Sequence, residues 1–492
     1  VPDDLDSGGL FEVEPVEWVE TDSAAAKPPV DKTFRRFDPD QGLLLPPSLD
    51  DWLPAEHLAR FIAELVDEHL DLSRIGAAYT EGRGGPPYDP RLMVRILLYG
   101  YTIGVRSSRV IETKCVDDVP FRWLAAGAAP DYRAIARFRK RHLSALGHLF
   151  VQALALCQAA GMVSLGRVAL DGTKVRANAS KRKAMSDARM SEKEKVLAEE
   201  VSALLLEAER IDKAEDTKFG KNRGGDELPE GLRRRESRLA KIREAKAALE
   251  EEAAQAARVK AENSARERGD DDDTVTSKGE AAAQQAVPKP KAQRNFTDPD
   301  SKIMLTGDGA FHQCYNAQAV VDADHQVIVA TDVNTNASDV GNLMPMTEQA
   351  AASTGATPNQ VLADAGYCSA DNLDQAASYA TEHGTEFFIA TGRHHRGDPP
   401  VASRGRIPAD ATEKQRMARK LTTKTGQKVY AHRKAIVEPV FGQMATLQNA
   451  KHLLLRGFEQ ARGEWLLLAA CHNLRKLHGH LGTTGLAGLA VS

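Results

Sequence analysis

From residue 164 the chain alternates short apolar runs with amphipathic stretches, and a long charged segment between 184 and 293 interrupts this alternation once. GRVALDG opens the series. CYNAQAVVDAD, QVIVATDV, NQVLADAG and TEFFIATG continue it as strands, while GNLMPMTEQAAAST and SADNLDQAASYA have helical spacing. Such a sheet is mixed and covered by helices, because strands joined through helices run parallel and strands joined by hairpins run antiparallel. The interruption is different in kind. EKEKVLAEEVSALLLEAERIDKAED and LRRRESRLAKIREAKAALEEEAAQAARVKAEN are rich in Ala, Glu, Lys and Arg, with FGKNRGGDELPEG between them, which predicts a helical hairpin with charged outer faces. The aspartates at 270–273 and VPKPKAQ predict a flexible return to the sheet.

Three strands followed by helix, strand, helix, strand and helix is the RNase H-like order. The expected fold is therefore α/β: an RNase H-like mixed sheet, interrupted by a helical-hairpin insertion and preceded by an all-α N-terminal domain. The predicted boundaries are a flexible arm over 1–50, a helical domain over 51–162, a catalytic domain over 163–183 and 294–480, the insertion over 184–293 and a tail over 481–492. The arm is rich in Pro, Asp and Gly with little periodicity. In the helical part, LPAEHLARFIAELVDEHL and DPRLMVRILLYGYTIG repeat apolar residues at three and four, with Asp89–Pro90 starting the second. HLSALGHLFVQALALCQAAG closes that part, with Gly161 as its stop.

Composition serves mainly to exclude. A formal net charge of −4 over 492 residues gives no overall pull toward nucleic acid, so any DNA surface must be local. Five scattered cysteines without a CxxC pair form neither a disulfide framework nor a zinc pattern and fit a reducing cytoplasm. Asp3, Asp4 and Asp6 stand where a signal peptide would be basic. LMVRILLYGYTIGV is broken by Arg95 and too short to cross a bilayer. The expectation is a cytoplasmic chain without a membrane partner.

Asp171 ends the apolar run of RVALDGTKVRANAS and Asp364 ends that of VLADAGYCS, each near a glycine; Glu438 follows the last strand in YAHRKAIVEPVFGQM. Alone, Asp-Gly is a common turn dipeptide. Together, the three carboxylates can converge, and crowded carboxylates need a cation between them. Two Mg²⁺ ions, or Mn²⁺ in their place, would supply that charge, since Mg²⁺ takes oxygen ligands and keeps exchangeable waters. Paired ions can activate a nucleophile on one side of a phosphodiester and stabilise the leaving oxygen on the other.

With LDGTKVRANAS, NTNASDVGNL, LADAGYCS, YAHRKAIVEPVFGQM, HLLLRG and WLLLAACHNLRKL in place, residues 164–480 resemble the DDE transposases of bacterial insertion sequences, and the helical part before them resembles the N-terminal domain such proteins carry. The resemblance implies that Asp171, Asp364 and Glu438 form the catalytic, metal-binding triad. It also implies that Tyr430 and Arg433 belong to the Tyr-x2-Arg…Glu signature that one branch uses beside the cleaved phosphate. The sequence departs from that branch in two ways: four residues separate Arg433 from Glu438 rather than three, and Ala445 stands where the branch has lysine. The implied activity is binding of element ends, two-metal cleavage of the phosphodiester and joining of the 3′-hydroxyls to target DNA, without a covalent protein–DNA intermediate. The implied partners are double-stranded DNA, as terminal inverted repeats and target, and a second copy in a homodimer on DNA. Two other readings are a transposase-derived DNA-binding protein without cleavage and a stand-alone RNase H-like nuclease.

Tyr430, Lys434 and Glu438 are four apart and would share one helix face. Pro439 disturbs this: either the helix kinks at Glu438, or it begins there and leaves Tyr430 and Arg433 in a preceding loop. The plain alternative for Lys434 and Glu438 is a solvent-facing ion pair.

Local positive charge supplies candidate DNA surfaces. Residues 83–142 hold 12 Lys/Arg against 5 Asp/Glu. In PDYRAIARFRKRHL, Asp131 would cap a helix whose Ile135 and Phe138 face inward, leaving Arg133, Arg137, Arg139, Lys140 and Arg141 for phosphates. Lys174 and Arg176 lie just beyond Asp171, and residues 393–434 hold 12 Lys/Arg against 3 Asp/Glu. His394 and His395 are expected at the surface rather than on a metal. WLLLAACHNLRKL is expected to be core, with His472 and Asn473 hydrogen-bonded inside it. Asp339 is expected to cap a helix, and Asp322, Asp324 and Asp332 to serve in turns.

Overall fold

In this computed structural model the described residues are 48–79, 86–180, 183–219, 230–392, 405, 407–408 and 410–489. The arm expected over 1–50 lies outside them except for its last three residues, as do the insertion's Gly-containing turn at 220–229, His394, His395 and much of the basic loop that follows.

The strands are β1 (Val168–Arg176), β2 (Ala184–Ser186), β3 (Gln293–Asn295), β4 (Lys302–Leu305), β5 (Phe311–Asp322), β6 (Ile328–Asn334), β7 (Gln360–Ala363) and β8 (Glu386–Ile389). β1 lies at the centre of the sheet. It pairs antiparallel with β5, from Val168↔Asp322 to Arg176↔Cys314, and parallel with β7, which pairs parallel with β8. The other edge of β5 carries β4 along Phe311–Cys314 and β6 along Asn316–Val321. The sheet is therefore mixed, with its antiparallel part first in sequence, as the alternation of apolar runs predicts.

Ahead of the sheet come α1 (Leu49–Trp52), α2 (Leu58–Glu64), α3 (Ser73–Gly76), α4 (Pro90–Thr102), α5 (Ser108–Asp117), α6 (Val119–Leu124), α7 (Tyr132–Arg141) and α8 (Leu143–Ala159). Asp89 accepts from the Arg91 amide and Pro90 occupies the first turn of α4, where its missing N–H costs nothing. α8 runs to Ala159, and Gly161 takes φ +69° beyond it. A buried ion pair links these helices to the end of the chain. Glu464 is fully buried and accepts from Arg106 Nη1 at 3.1 Å and from the Leu454 and Leu455 amides at 2.8 and 2.9 Å.

The insertion contains α9 (Asp187–Phe219), α10 (Glu230–Glu267) and α11 (Asp272–Gln284). Met190, Leu197 and Val201 pack against Leu239, Ile242, Ala245 and Leu249 to give it a small core of its own. The acidic run expected as flexible return is instead a helix start: Asp271 accepts from the Thr274 amide at 2.9 Å and caps α11. At the neck, β2 pairs antiparallel with β3, and Glu252 of α10 meets both Arg294 of β3 and Lys302 of β4.

The remaining helices are α12 (Leu343–Thr354), α13 (Ala370–His383), α14 (Glu413–Thr422), α15 (Lys424–Leu447) and α16 (Phe458–Leu481). α12, α15 and α16 pack on the sheet. The late apolar stretch is core as expected: Trp465, Leu468 and Leu474 are buried, His472 Nε2 is 3.0 Å from Gln326 O, and Asn473 brackets the Ile328 backbone with two 2.9 Å bonds. α15 resolves the Pro439 question in a third way, because it runs unbroken through the proline. The carbonyl that Pro439 leaves without its helical donor belongs to Ala435, and Gln326 Nε2 donates to it at 3.1 Å. Among the described residues, no helix is long and apolar enough to cross a membrane.

Candidate active site

β1 and β7 lie side by side and parallel, with Leu170 opposite Ala363 as their last paired residues, so Asp171 and Asp364 are the next residue on each. Val168, Ala169 and Leu170, like Val361, Leu362 and Ala363, are almost wholly buried and hold that register. The Asp-Gly dipeptide at 171–172 makes no turn. β1 continues through Gly172 to Arg176, and Asp171 sits within the strand. β7 does stop, and Asp364 opens a short 3-10 turn by accepting from the Gly366 amide at 2.7 Å.

Asp171 is mostly buried. Its Oδ1 accepts from the Gly172 amide at 2.8 Å and its Oδ2 from Arg433 Nη1 at 2.8 Å. Burial pushes its carboxyl above the usual range; Arg433 draws it back and the charge of Asp364 pushes it up again. Burial lowers the Arg433 pKa, but Asp171 outweighs that and leaves it raised. Arg433 Nη2 stands 3.9 Å from Glu438 Oε1, and the Glu438 side chain is 54% exposed. Tyr430, half-buried on the same helix, has its hydroxyl pKa raised by burial and lowered by Arg433. The structure thus couples Asp171 with Asp364 and links Glu438 to them through Arg433. Among the described residues, no three His, Cys, Asp or Glu side chains form a ligand set for one ion.

Asp339 was expected as a helix cap, but its side chain makes no capping bond. Its Oδ1 accepts instead from Lys174 Nζ at 2.9 Å, Asn316 Nδ2 at 2.7 Å and Gln318 Nε2 at 2.8 Å. Gln318 in turn accepts from the buried Tyr367 hydroxyl. This network explains both glycines. A Cβ on Gly172 would lie 2.7 Å from Asp339 Oδ1, and one on Gly366 would lie 2.9 Å from Asp364 Oδ1 and 3.5 Å from Asp339 Oδ2. Gly172 allows close approach of the Gln318 amide and the Asp339 carboxylate within an unbroken strand, whereas Gly366 lies in the short turn that Asp364 opens. The sequence signal for Asp339 was present in NTNASDVGNL, but its partners lie on two other strands, Lys174 on β1 and Asn316 and Gln318 on β5.

Two family models match the chain: a transposase domain (DUF772) over residues 47–141 and a transposase DDE domain over residues 287–474. The chain belongs to the DDE transposases of insertion elements. No curated protein and no solved structure gives a match. The DDE-domain match takes in Asp364, Arg433 and Glu438 but begins beyond Asp171, which lies across the insertion from it.

DDE transposases generally use divalent metal ions, and the residues of this transposase suit them in kind. Asp171, Asp364 and Glu438 offer only hard oxygen donors, and the two aspartates raise each other's need for positive charge, which Arg433 supplies here. Family membership also implies DNA binding, and α7 has the expected build: Asp131 caps it, and Ile135 and Phe138 are buried. Its cations are less free than expected. Arg139 is buried and donates to Tyr101 Oη at 3.1 Å and Arg106 O at 2.9 Å, so it is a structural residue. Arg141 donates to Ala78 O and lies over the Tyr79 ring. Arg133, Arg137 and Lys140 are exposed. Lys174 pairs with Asp339 and Arg176 with Asp308, while Lys434 is exposed beside Glu438 on α15. Asp332, expected in a turn, lies in β6 and takes two bonds from Arg462. Asp322 is fully buried at the end of β5 and accepts from the Leu165 amide at 2.8 Å.

Proposed function

We propose that the chain binds the ends of an insertion element, cleaves them by two-metal phosphodiester hydrolysis and joins the freed 3′-hydroxyls to target DNA. The reading rests on the coupling of Asp171 and Asp364 at adjacent positions on two parallel strands. The order of β6 or β4, β5, β1, β7 and β8 across the sheet supports an RNase H-like catalytic domain. The helices between Leu49 and Ala159 support an all-α DNA-binding domain.

Asp171, Asp364 and Glu438 are the residues to hold two Mg²⁺ or Mn²⁺ ions, which when bound would polarise the phosphoryl oxygens and lower the pKa of the attacking water. Arg433 orients Asp171 and is close enough to Glu438 to share its charge between the two acids. Tyr430 positions DNA and forms no covalent bond. Arg133, Arg137, Lys140, Arg176 and Lys434 meet phosphates, with Lys174 held at the site by Asp339. The insertion serves protein–protein or flanking-DNA contacts, the working form on DNA is a homodimer, and the compartment is the cytoplasm.

The test is Mg²⁺-dependent nicking and strand transfer on a plasmid carrying the DNA that flanks this reading frame. Nicking and joining that vanish in Asp171→Ala and Asp364→Ala support the proposal. Tight binding with no nicking by the wild type would show a DNA-binding protein instead, and nicking without joining would show a nuclease.

A further inference from the structure

The turn at 103–106, between α4 and α5, sits on the end of α15 and on the loop at 449–455 that follows it. Gly104 takes φ +83°, and a Cβ there would stand 2.7 Å from Leu447 O, so only glycine lets the turn approach that helix end. Arg106 reaches further. Its Nη2 donates to the carbonyls of Asn449 and His452, the second at 2.8 Å, and its Nη1 meets Glu464 Oε1 at 3.1 Å. Glu464 Oε2 accepts from the Leu454 and Leu455 amides at 2.8 and 2.9 Å. The pair thus grips one loop by both its carbonyls and its amides. Asn449 is held there at φ +55°, a region sparsely populated by residues with a side chain.

Both sides of this grip lead to working elements. The loop runs along the end of β1, the strand of Asp171: the Arg176 amide donates to Lys451 O at 3.2 Å, and the Leu453 amide donates to Arg176 O at 2.7 Å. On the other side, Arg139 of α7 donates to Arg106 O at 2.9 Å and to Tyr101 Oη at 3.1 Å, and that hydroxyl donates to Glu464 Oε1 at 3.4 Å. Tyr101, Arg106, Arg139 and Glu464 are all buried. One carboxylate between two buried guanidiniums is costly to desolvate, and apolar side chains of similar volume hold a core at least as well. What the ionic cluster adds is direction, because its charges end on particular backbone groups of the turn and the loop.

We propose that Arg106 and Glu464 are a positioning pair for DNA cleavage. They fix α7, with its exposed cations, relative to β1 and α15, and so select which phosphodiester meets Asp171. The proposal rests on the transposase reading, which makes α7 a DNA contact and Asp171 a metal ligand. In this role the pair acts through the loop at 449–455 and touches no reacting atom.

The test uses the full chain and two conservative variants, Arg106→Lys and Glu464→Gln, with two readouts. Nicks on the plasmid carrying the flanking DNA are mapped to the nucleotide in Mg²⁺, and amide hydrogen exchange is followed in the metal-free protein. Wild type should nick one phosphodiester at each element end. Both variants should bind that DNA as wild type does, because Arg133, Arg137 and Lys140 are untouched. They should nick about 100-fold more slowly, or spread their nicks over neighbouring phosphates. Exchange should quicken at Leu454 and Leu455 and also at Arg176 on β1. Nicking at the wild-type rate and position by either folded variant overturns the proposal. So does faster exchange at Leu454 and Leu455 that stops short of Arg176, because the pair would then be local packing. Should neither variant fold, Gly104→Ala decides, since it presses on the end of α15 without touching the ion pair; unchanged cleavage there overturns the proposal. Absence of nicking in the wild type removes the transposase reading instead, and the exchange at Arg176 still reports whether the pair holds β1.

Discussion

Arg433 donates to Asp171 at 2.8 Å from one nitrogen, while its other terminal nitrogen stands 3.9 Å from Glu438. The Arg433 and Asp171 side chains are only 9% and 18% exposed, so each depends on the other for compensation of its charge. Arg433→Ala should therefore destabilise the protein by about 3–5 kcal/mol in denaturant titrations at neutral pH. Arg433→Ala combined with Asp171→Asn should recover part of that loss, because the buried charge is gone. A double-variant cost equal to the sum of the two single-variant costs would mean that the two groups are not coupled.

The raised pKa of Asp171 has a stability consequence with a definite sign. A carboxyl that holds its proton more tightly when folded favours the folded state at low pH, and that contribution is lost as pH rises through the folded pKa. Thermal midpoints of wild type and Asp171→Asn, compared across pH, should diverge above the ordinary carboxylate range. Wild type should lose ground in that window, and a constant difference would contradict the burial-driven shift.

His472 has the opposite sign. Burial lowers its pKa to about 4, and its Nε2 donates to Gln326 O from the neutral ring. The unfolded chain binds this proton near pH 6.5, so stability falls as pH drops from there toward 4, by about 3 kcal/mol at most. His472→Gln should flatten that part of the stability profile measured by denaturant titration. An unchanged acid limb would show that other groups set it.

Most of the sheet was legible because period-two and period-3.6 apolar patterns are local properties of the chain, and β1, β5, β6, β7 and β8 all fall on runs that carry them. What escaped depends on partners far away in sequence. Pro439 reads as a helix breaker until Gln326, on the β5–β6 hairpin, takes the carbonyl it leaves open. Arg139 sits among exposed cations, yet its helix turns it toward Tyr101 and Arg106. The aspartates at 270–273 look like a solvated run, and one of them is a helix cap. At the site, Asp171 and Asp364 could be picked out because each ends a buried run, whereas a third carboxylate close to both glycines shows no such pattern.

That carboxylate, Asp339, should matter to turnover without being required for folding. Its Oδ1 accepts from Lys174, Asn316 and Gln318, and through Gln318 it is joined to Tyr367, so it fixes the face of β1 on which Gly172 and Lys174 lie. Asp339→Ala leaves three donors without their acceptor, and a stability loss of about 1–3 kcal/mol is expected. If the network aligns the site, Mg²⁺-dependent nicking should fall about 10- to 100-fold, the usual effect of removing a partner that orients metal ligands. Asp339→Asn keeps one acceptor oxygen and should lose less. Gly172→Ala offers a further check on the same network, since its added Cβ would stand 2.4 Å from Gln318 Nε2 and 2.7 Å from Asp339 Oδ1 and must displace both. Nicking by Gly172→Ala should then fall to a level like that of Asp339→Ala, with the shift visible in the titration of cation binding at fixed protein concentration. Full activity in both variants would reduce Asp339 to a structural counter-ion of Lys174.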